Sequence, residues 1–272
     1  MASKFQKPQI MGILNVTPDS FSDGGQYTAV DNALRHCRFM LEEGVDMIDA
    51  GGESTRPGAR PVPAAEQIRR VVPVIRAIRE SLSETLEISI DTTLAEVAEA
   101  ALQAGATLVN DVSAGADAGM LDVVAGHRVP IVLMHMQGTP ETMQENPFYE
   151  DPVREIMELL LARVEAATRA GIKQENIILD PGIGFGKRKQ DNLELLAHLQ
   201  QFVNTGFPVL LGTSRKRFMG SICQVETPSE LVTATAVTTA LGVMAGVQIF
   251  RVHDVRENRQ AADIAWAIKQ AE

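Results

Sequence analysis

A chain of 272 residues, 45% hydrophobic and 22% charged, has ordinary globular composition and the length of one α/β barrel, about 250 residues. A formal net charge of -10 and a pI near 5.1 argue against nucleic acid or an anionic membrane as partners, so any anionic ligand must be met by a local cluster of bases. Two cysteines, Cys37 and Cys223, exclude a disulfide framework, and no CxxC spacing points to zinc.

In chain order, residues 9–16 (QIMGILNV) form the first expected strand, followed by a turn-rich stretch through Gly25. The N-terminus shows no signal-peptide pattern, and no apolar run reaches the roughly 20 residues of a membrane helix, so a cytoplasmic protein is expected. Thr28 reads as an N-cap for a helix carrying Val30, Ala33, Leu34, Cys37, Met40 and Leu41 at helical spacing up to Gly44. Strand two spans 46–50 and leads into Gly51-Gly52-Glu53-Ser54-Thr55-Arg56-Pro57-Gly58. A second helix with Ile68, Val71, Val72, Ile75 and Ile78 contains Pro73, which predicts a kink.

Strand three is 88–91, followed by a helix with Val97, Ala98, Ala101 and Leu102. Strand four is 107–111, then a short helix at 118–125, then strand five at 130–135. After a long connection, Asp151 caps a helix with Pro152 in its first turn and the stripe Val153, Ile156, Met157, Leu160, Leu161 and Val164. Strand six, 177–180, ends at Asp180 before the Gly-rich run Pro181-Gly182-Ile183-Gly184-Phe185-Gly186-Lys187. A helix at 193–199, strand seven at 208–211, a helix at 230–245, strand eight at 248–252 and a helix at 256–270 complete the chain; Cys223 falls in a loop-like stretch. Continuous apolar strands alternating with helices mean a parallel sheet covered on both faces. Eight such units predict an α/β fold, a (β/α)8 TIM barrel in one domain with its core at about residues 9–270, over an open doubly wound sheet.

Such barrels build their sites where strands end. Those positions hold Asn15, Asp49, Asp91, Asn110 with Asp111, Met134 with His135, Asp180, Gly212 leading to Ser214 and Lys216, and Arg251 with His253. A lone carboxylate after a strand is more often a helix cap than a ligand-binding group. Caps explain an almost wholly polar ring less well, because several of these residues precede the loop. Arg56, Lys187, Lys216, Arg251 and His253 lie in or beside strand-end loops as an expected cationic rim, although Lys187, like Arg188 and Lys189, reads better as a solvated surface charge. The long loops after strands one and two read as lids. Gly182-x-Gly184-x-Gly186 has the wrong spacing for a dinucleotide fingerprint, and acids with amides suit a heterocycle with a guanidine-like edge.

Met11-Gly12-Ile13-Leu14-Asn15-Val16-Thr17-Pro18-Asp19-Ser20-Phe21-Ser22-Asp23-Gly24-Gly25 resembles the first signature of dihydropteroate synthases, and Asp49-Ala50-Gly51-Gly52-Glu53-Ser54-Thr55-Arg56-Pro57-Gly58 the second. Ser89-Ile90-Asp91-Thr92, Asn110-Asp111-Val112-Ser113, Met134-His135-Met136-Gln137-Gly138-Thr139-Pro140, the run around Asp180, Gly212-Thr213-Ser214-Arg215-Lys216 and Arg251-Val252-His253-Asp254-Val255 follow in family order. The resemblance implies condensation of 6-hydroxymethyl-7,8-dihydropterin diphosphate with 4-aminobenzoate, usually by a homodimer, to give 7,8-dihydropteroate and diphosphate for folate synthesis. It assigns the pterin to Asp91, Asn110, Met134, Asp180, Phe185, Gly212 and Lys216. The diphosphate goes to Asn15, Thr55, Arg251 and His253, with Asn15 on Mg2+, and 4-aminobenzoate to Thr55, Arg56, Pro57 and Ser214. Asp91, Arg56 and Lys216 are then the expected catalytic residues.

One stretch departs from the family. Before strand eight, an Arg and a Gly-Ser/Thr are usual; this chain has Ser229-Glu230-Leu231-Val232-Thr233-Ala234-Thr235-Ala236, in a helix through which such proteins often dimerise. Two alternatives share the barrel: a pterin-binding paralogue without catalysis, and a pterin-dependent methyltransferase domain. Intact Asn15, Arg56, Lys216, Arg251 and His253 speak against the first. The Thr55-Arg56-Pro57 loop, and the lack of room for a cobalamin partner domain, speak against the second.

Overall fold

The computed structural model describes residues 7–17, 25–56 and 58–271, with backbone alone for 25–28. Eight parallel strands make one sheet: β1 (Gln9–Asn15), β2 (Met47–Gly51), β3 (Glu87–Asp91), β4 (Leu108–Asp111), β5 (Ile131–Met134), β6 (Ile177–Asp180), β7 (Leu210–Leu211) and β8 (Ile249–Val252). Their spatial order is β6-β5-β4-β3-β2-β1-β8-β7. The remaining seam closes where Leu179 bridges Val209 and Leu179 N donates to Pro208 O at 2.9 Å. The sheet is therefore a (β/α)8 barrel without a free edge, as the alternation predicts.

The helices are α1 (Gly25–Glu42), α2 (Ala64–Ser81), α3 (Ala95–Gln103), α4 (Met120–His127), α5 (Pro152–Arg169), α6 (Lys189–Ala197), α7 (Leu199–Val203), α8 (Arg217–Cys223), α9 (Val232–Ala245) and α10 (Val255–Lys269). Asp151 caps α5 by accepting from Arg154 N at 3.0 Å, with Pro152 at the first helical position where its missing N–H costs nothing. Several expectations need correction. Helix α1 begins at Gly25, so Thr28 lies inside it rather than at its cap. The expected 193–199 helix is two, broken at His198, and Cys223 ends helix α8 instead of lying in a loop. The expected 118–125 helix is displaced to Met120–His127. The tip of the loop after β1 and Pro57 fall outside the described residues. No helix among the described residues is long and apolar enough to cross a membrane.

Successive side chains of a strand point to opposite faces. Ile10, Leu14, Ile48, Ile88, Ile90, Val109, Ile131, Leu133, Ile177 and Leu179 therefore face outward into the large core beneath the helices. The alternate residues Met11, Met47, Leu108, Val132, Ile178, Leu210 and Ile249 form a separate buried cluster that plugs the barrel interior. That plug sets the floor of everything above it.

Candidate active site

Two residues beyond the apolar plug, on the same inward face, the strands present Asp49, Asn110, Met134, Asp180, Gly212 and Arg251, with Asp91 two beyond Ser89 on β3. The strand-end residues singled out in the sequence thus share one barrel mouth, apart from those considered below.

On the β2, β3, β4 and β8 side, Asp49 is the hub. Its Oδ2 accepts from Arg251 Nε at 2.6 Å and from Asn110 Nδ2 at 3.1 Å. Arg251 Nη2 donates to Asp91 Oδ2 at 2.7 Å. Burial works against the Arg251 charge, but the Asp49 and Asp91 carboxylates outweigh it and raise the guanidinium pKa. Burial pushes the Asp91 carboxyl up to about 7, against the lowering pull of Arg251. Asp49 Oδ1, Asp91 Oδ1 and Asn110 Oδ1 are buried without a hydrogen-bond partner. Buried acceptors left open are unusual, and three of them at one barrel end lack a donor that a ligand would supply. The sequence reading placed Asp49 at a strand end without giving it a role; its inward register with Met47 was the available signal.

On the β5 and β6 side, Asp180 is 5% exposed, and its Oδ1 accepts from Gly182 N at 2.7 Å. Burial raises its carboxyl to about 6, opposed by that hydrogen bond and by Lys216, Lys187 and Arg251. The following loop folds back on the chain leaving β5. Gly182, at φ +68, lies so close that a Cβ would overlap the His135 carbonyl oxygen, so only glycine fits. This turn puts Phe185 into an apolar cluster with Val112, Met134 and Met143. Lys216 Nζ stands 4.0 Å from the Phe185 ring centroid, a cation–π contact, and burial lowers the amine to about 8.

Lys187 corrects the sequence reading: it is 3% exposed rather than a surface charge. Its Nζ lies 3.0 Å from His135 Nδ1 and donates to Phe185 O at 2.9 Å. Arg188 and Lys189 do lie at the surface, Arg188 paired with Asp191. The adjacent charges disguised Lys187. Asp111, also among the strand-end candidates, accepts from Ser113 N, Ser113 Oγ and Gly115 N and so shapes its own loop.

At the rim, Ser214 Oγ accepts from His253 N at 3.1 Å and lies 2.9 Å from His253 Nδ1. Burial lowers His253 to about 3, leaving a neutral imidazole. Arg215, at φ +58, pairs with Asp254 and so fixes the turn between Ser214 and Lys216. Thr55 is half-buried and Arg56 exposed, without a contact to the residues above, although Arg56 is near enough to His253 to lower its pKa. The base of their loop is stapled: Glu53 Oε1 accepts from Val62 N at 2.6 Å, and Thr92 Oγ1 donates to Gln67 Oε1 at 3.1 Å. The Asn15 side chain has no partner among the described residues.

Residues 11–253 match the model of the pterin binding enzyme family. The dihydropteroate synthase of Synechocystis sp. is 44% identical over 97% of this chain and 91% of its own length. The structure of Yersinia pestis dihydropteroate synthase with a sulfonamide drug superposes with a TM-score of 0.92 at 42% identity, covering 99% of this chain and 96% of that one. The Xanthomonas albilineans dihydropteroate synthase bound to 4-aminobenzoic acid matches with a TM-score of 0.91 at 45% identity, covering 98% and 94%. The chain belongs to the dihydropteroate synthases of the pterin-binding enzyme family.

Proposed function

We propose that this member of the family condenses 6-hydroxymethyl-7,8-dihydropterin diphosphate with 4-aminobenzoate on the mouth described above. The observation that carries the assignment of the pterin is the set of acceptors without donors. Asp91 Oδ1 and Asn110 Oδ1 are unpartnered, and Asp180 lies inward on β6. A pterin supplies adjacent N–H donors that a carboxylate grips through parallel hydrogen bonds. Asp180 takes the guanidine-like edge, Asp91 and Asn110 the remaining ring polar atoms. Met134, Phe185 and Gly212 give the ring its apolar slot, and Lys216 contacts it from the Phe185 side.

Arg251 spends Nε and Nη2 on Asp49 and Asp91, leaving Nη1 for a diphosphate oxygen, and His253, with Nδ1 accepting from Ser214, would offer Nε2–H. The Asn15 amide oxygen, inward on β1, would hold a Mg2+ ion brought by the diphosphate. No group of three or more His, Cys, Asp or Glu among the described residues forms a cage, and Mg2+ is characteristically bound through substrate phosphates and few protein oxygens. When bound, the ion supplies charge neutralisation to the leaving diphosphate. With Arg251 and His253 taking up charge on the departing diphosphate, the C–O bond breaks ahead of C–N formation, Asp91 stabilises the positive charge developing at the pterin methylene, and the amine proton is lost to water after the C–N bond forms. The arylamine is neutral and nucleophilic at pH 7, so it needs no strong base. Ser214, Thr55 and Arg56 with Pro57 hold 4-aminobenzoate, for which a sulfonamide should compete.

The face formed by α9 and α10 leaves Val237, Leu241, Ile264 and Ile268 at 53%, 61%, 65% and 56% exposure beside a groove of about 630 Å³. Contiguous exposed apolar residues support the reading of a homodimer that pairs through this face. Light scattering should give twice the chain mass and Leu241→Lys the single mass; a monomeric parent would refute the dimer. The activity is tested with pure protein, both substrates and Mg2+: diphosphate release is expected only when both substrates are present. Binding of pterin diphosphate without turnover would leave a pterin-binding protein and sink the enzyme.

A further inference from the structure

Lys187 is a buried titratable group that the chemistry above does not use. It is 3% exposed and forms no ion pair among the described residues, an expensive position for an amine. Its surroundings show what the amine does there. After β6 the chain reverses through Gly182, Gly184 and Gly186, all at positive φ, and lies directly on the segment leaving β5. A Cβ at Gly186 would stand 2.5 Å from Gln137 O. Backbone packed this closely cannot be held by side chains between the two segments, and its carbonyls need donors. Lys187 Nζ reaches back under the turn and contacts both partners: Phe185 O at 2.9 Å on the loop, and His135 O at 3.4 Å with His135 Nδ1 at 3.0 Å on the β5 side. Tyr149 adds a neutral tie by donating to Gly186 O at 2.7 Å.

We propose that Lys187 is a positioning residue of the pterin site, a buried cation that ties the Phe185 loop to the end of β5 and sets positive charge beside Asp180. The proposal rests on the pterin reading of Asp180. Two consequences follow from the geometry. Phe185, on which Lys216 stacks, is placed through its own carbonyl by Lys187. In addition, Lys187 Nζ lies against Gly182, whose N–H is bonded to Asp180 Oδ1, and that bond together with Lys216, Lys187 and Arg251 favours the charged form of Asp180 against burial. The charges acting on Lys187 in turn come from Asp180, Lys216 on the approach to α8 and Asp191 on α6. Burial lowers the amine to about 7, and the uncharged His135 imidazole accepts from it.

The test is Lys187→Met in the full chain, read by calorimetry with 6-hydroxymethylpterin and by steady-state kinetics. The pterin Kd and the KM for the pterin diphosphate should rise about tenfold or more, with the KM for 4-aminobenzoate changed by less than about twofold. The loss should be larger at about pH 6.5 than at about pH 8.5, where Asp180 is ionised without help. A pterin Kd within about twofold of the parent, with only a lower Tm, would reduce Lys187 to a structural residue and overturn the proposal. If the variant does not fold, the Nζ resonance of Lys187 in the 15N-lysine-labelled parent replaces it. Saturation with 6-hydroxymethylpterin should shift that resonance and move its titration upward, and an unchanged resonance overturns the proposal. Asp180→Asn separates the two readings. If it binds pterin like the parent, the anchor itself is wrong; if it fails to bind while Lys187→Met binds normally, only the role of Lys187 is lost.

Discussion

Two residues separate the floor of this barrel from its chemistry. On β6, Ile178 belongs to the apolar plug and is 2% exposed, while Asp180, next on the same face, is 5% exposed. The lower layer matches the hydrophobic demand of a closed interior and needs nothing else. The upper layer places carboxylates and an amide in the same seclusion, and leaves Asp49 Oδ1, Asp91 Oδ1 and Asn110 Oδ1 unsatisfied. Equal burial thus has opposite energetic sign in the two layers. The difference teaches that the upper layer is retained for a ligand, since on stability alone apolar residues would serve better there.

The largest effect that sharpens this contrast is expected from the floor. Ile178→Ala removes buried methyl and methylene groups from a closed plug and should cost about 2–5 kcal/mol in denaturant unfolding. The affinity of the remaining folded protein for 6-hydroxymethylpterin should change little; a parallel collapse of affinity would show that the layers are not separable. The next effect comes from Asp180→Asn, which keeps size but loses one of the paired acceptors and the charge. Pterin binding should weaken by roughly 2–3 kcal/mol in calorimetry, and unchanged affinity would remove Asp180 from the site.

The same substitution should have a smaller and opposite effect on stability. The folded-state carboxyl is raised from 3.8 to about 6, so between these values the folded chain holds a proton that the unfolded chain releases. The stability linked to this proton is full below pH ~4 and is lost as pH rises through about 6. Asparagine does not ionise, so Asp180→Asn should be more stable than the parent at about pH 8 by on the order of 1–3 kcal/mol, the gap closing toward about pH 4. A variant less stable at every pH would break the claim that this layer is a cost. In the parent, pterin affinity should decline as pH drops below about 6, where Asp180 takes up its proton.

By itself the sequence determined the eight strand–helix units, the parallel sheet and the polar residues at or beside the strand ends. Each of these is written in contiguous runs: short apolar stretches, an Asp–Pro cap at 151–152, a carboxylate where a strand stops. Helix ends were less legible, because Gly25 and His198 mark boundaries through packing rather than through a strong local signal. Tertiary structure alone decided how the polar residues share one another. Arg251 meets Asp49 across 202 positions and Asp91 across 160, and no local pattern announces that a guanidinium expected at the rim is gripped by two acids within the mouth. The fate of Lys187 was decided in the same way. Within a run of three basic residues it reads as surface, and only the reversal at the three glycines brings its amine under the loop against His135. The physical reason is that periodicity records which face of an element is buried, whereas the partner of a buried charge is chosen by closure of the barrel.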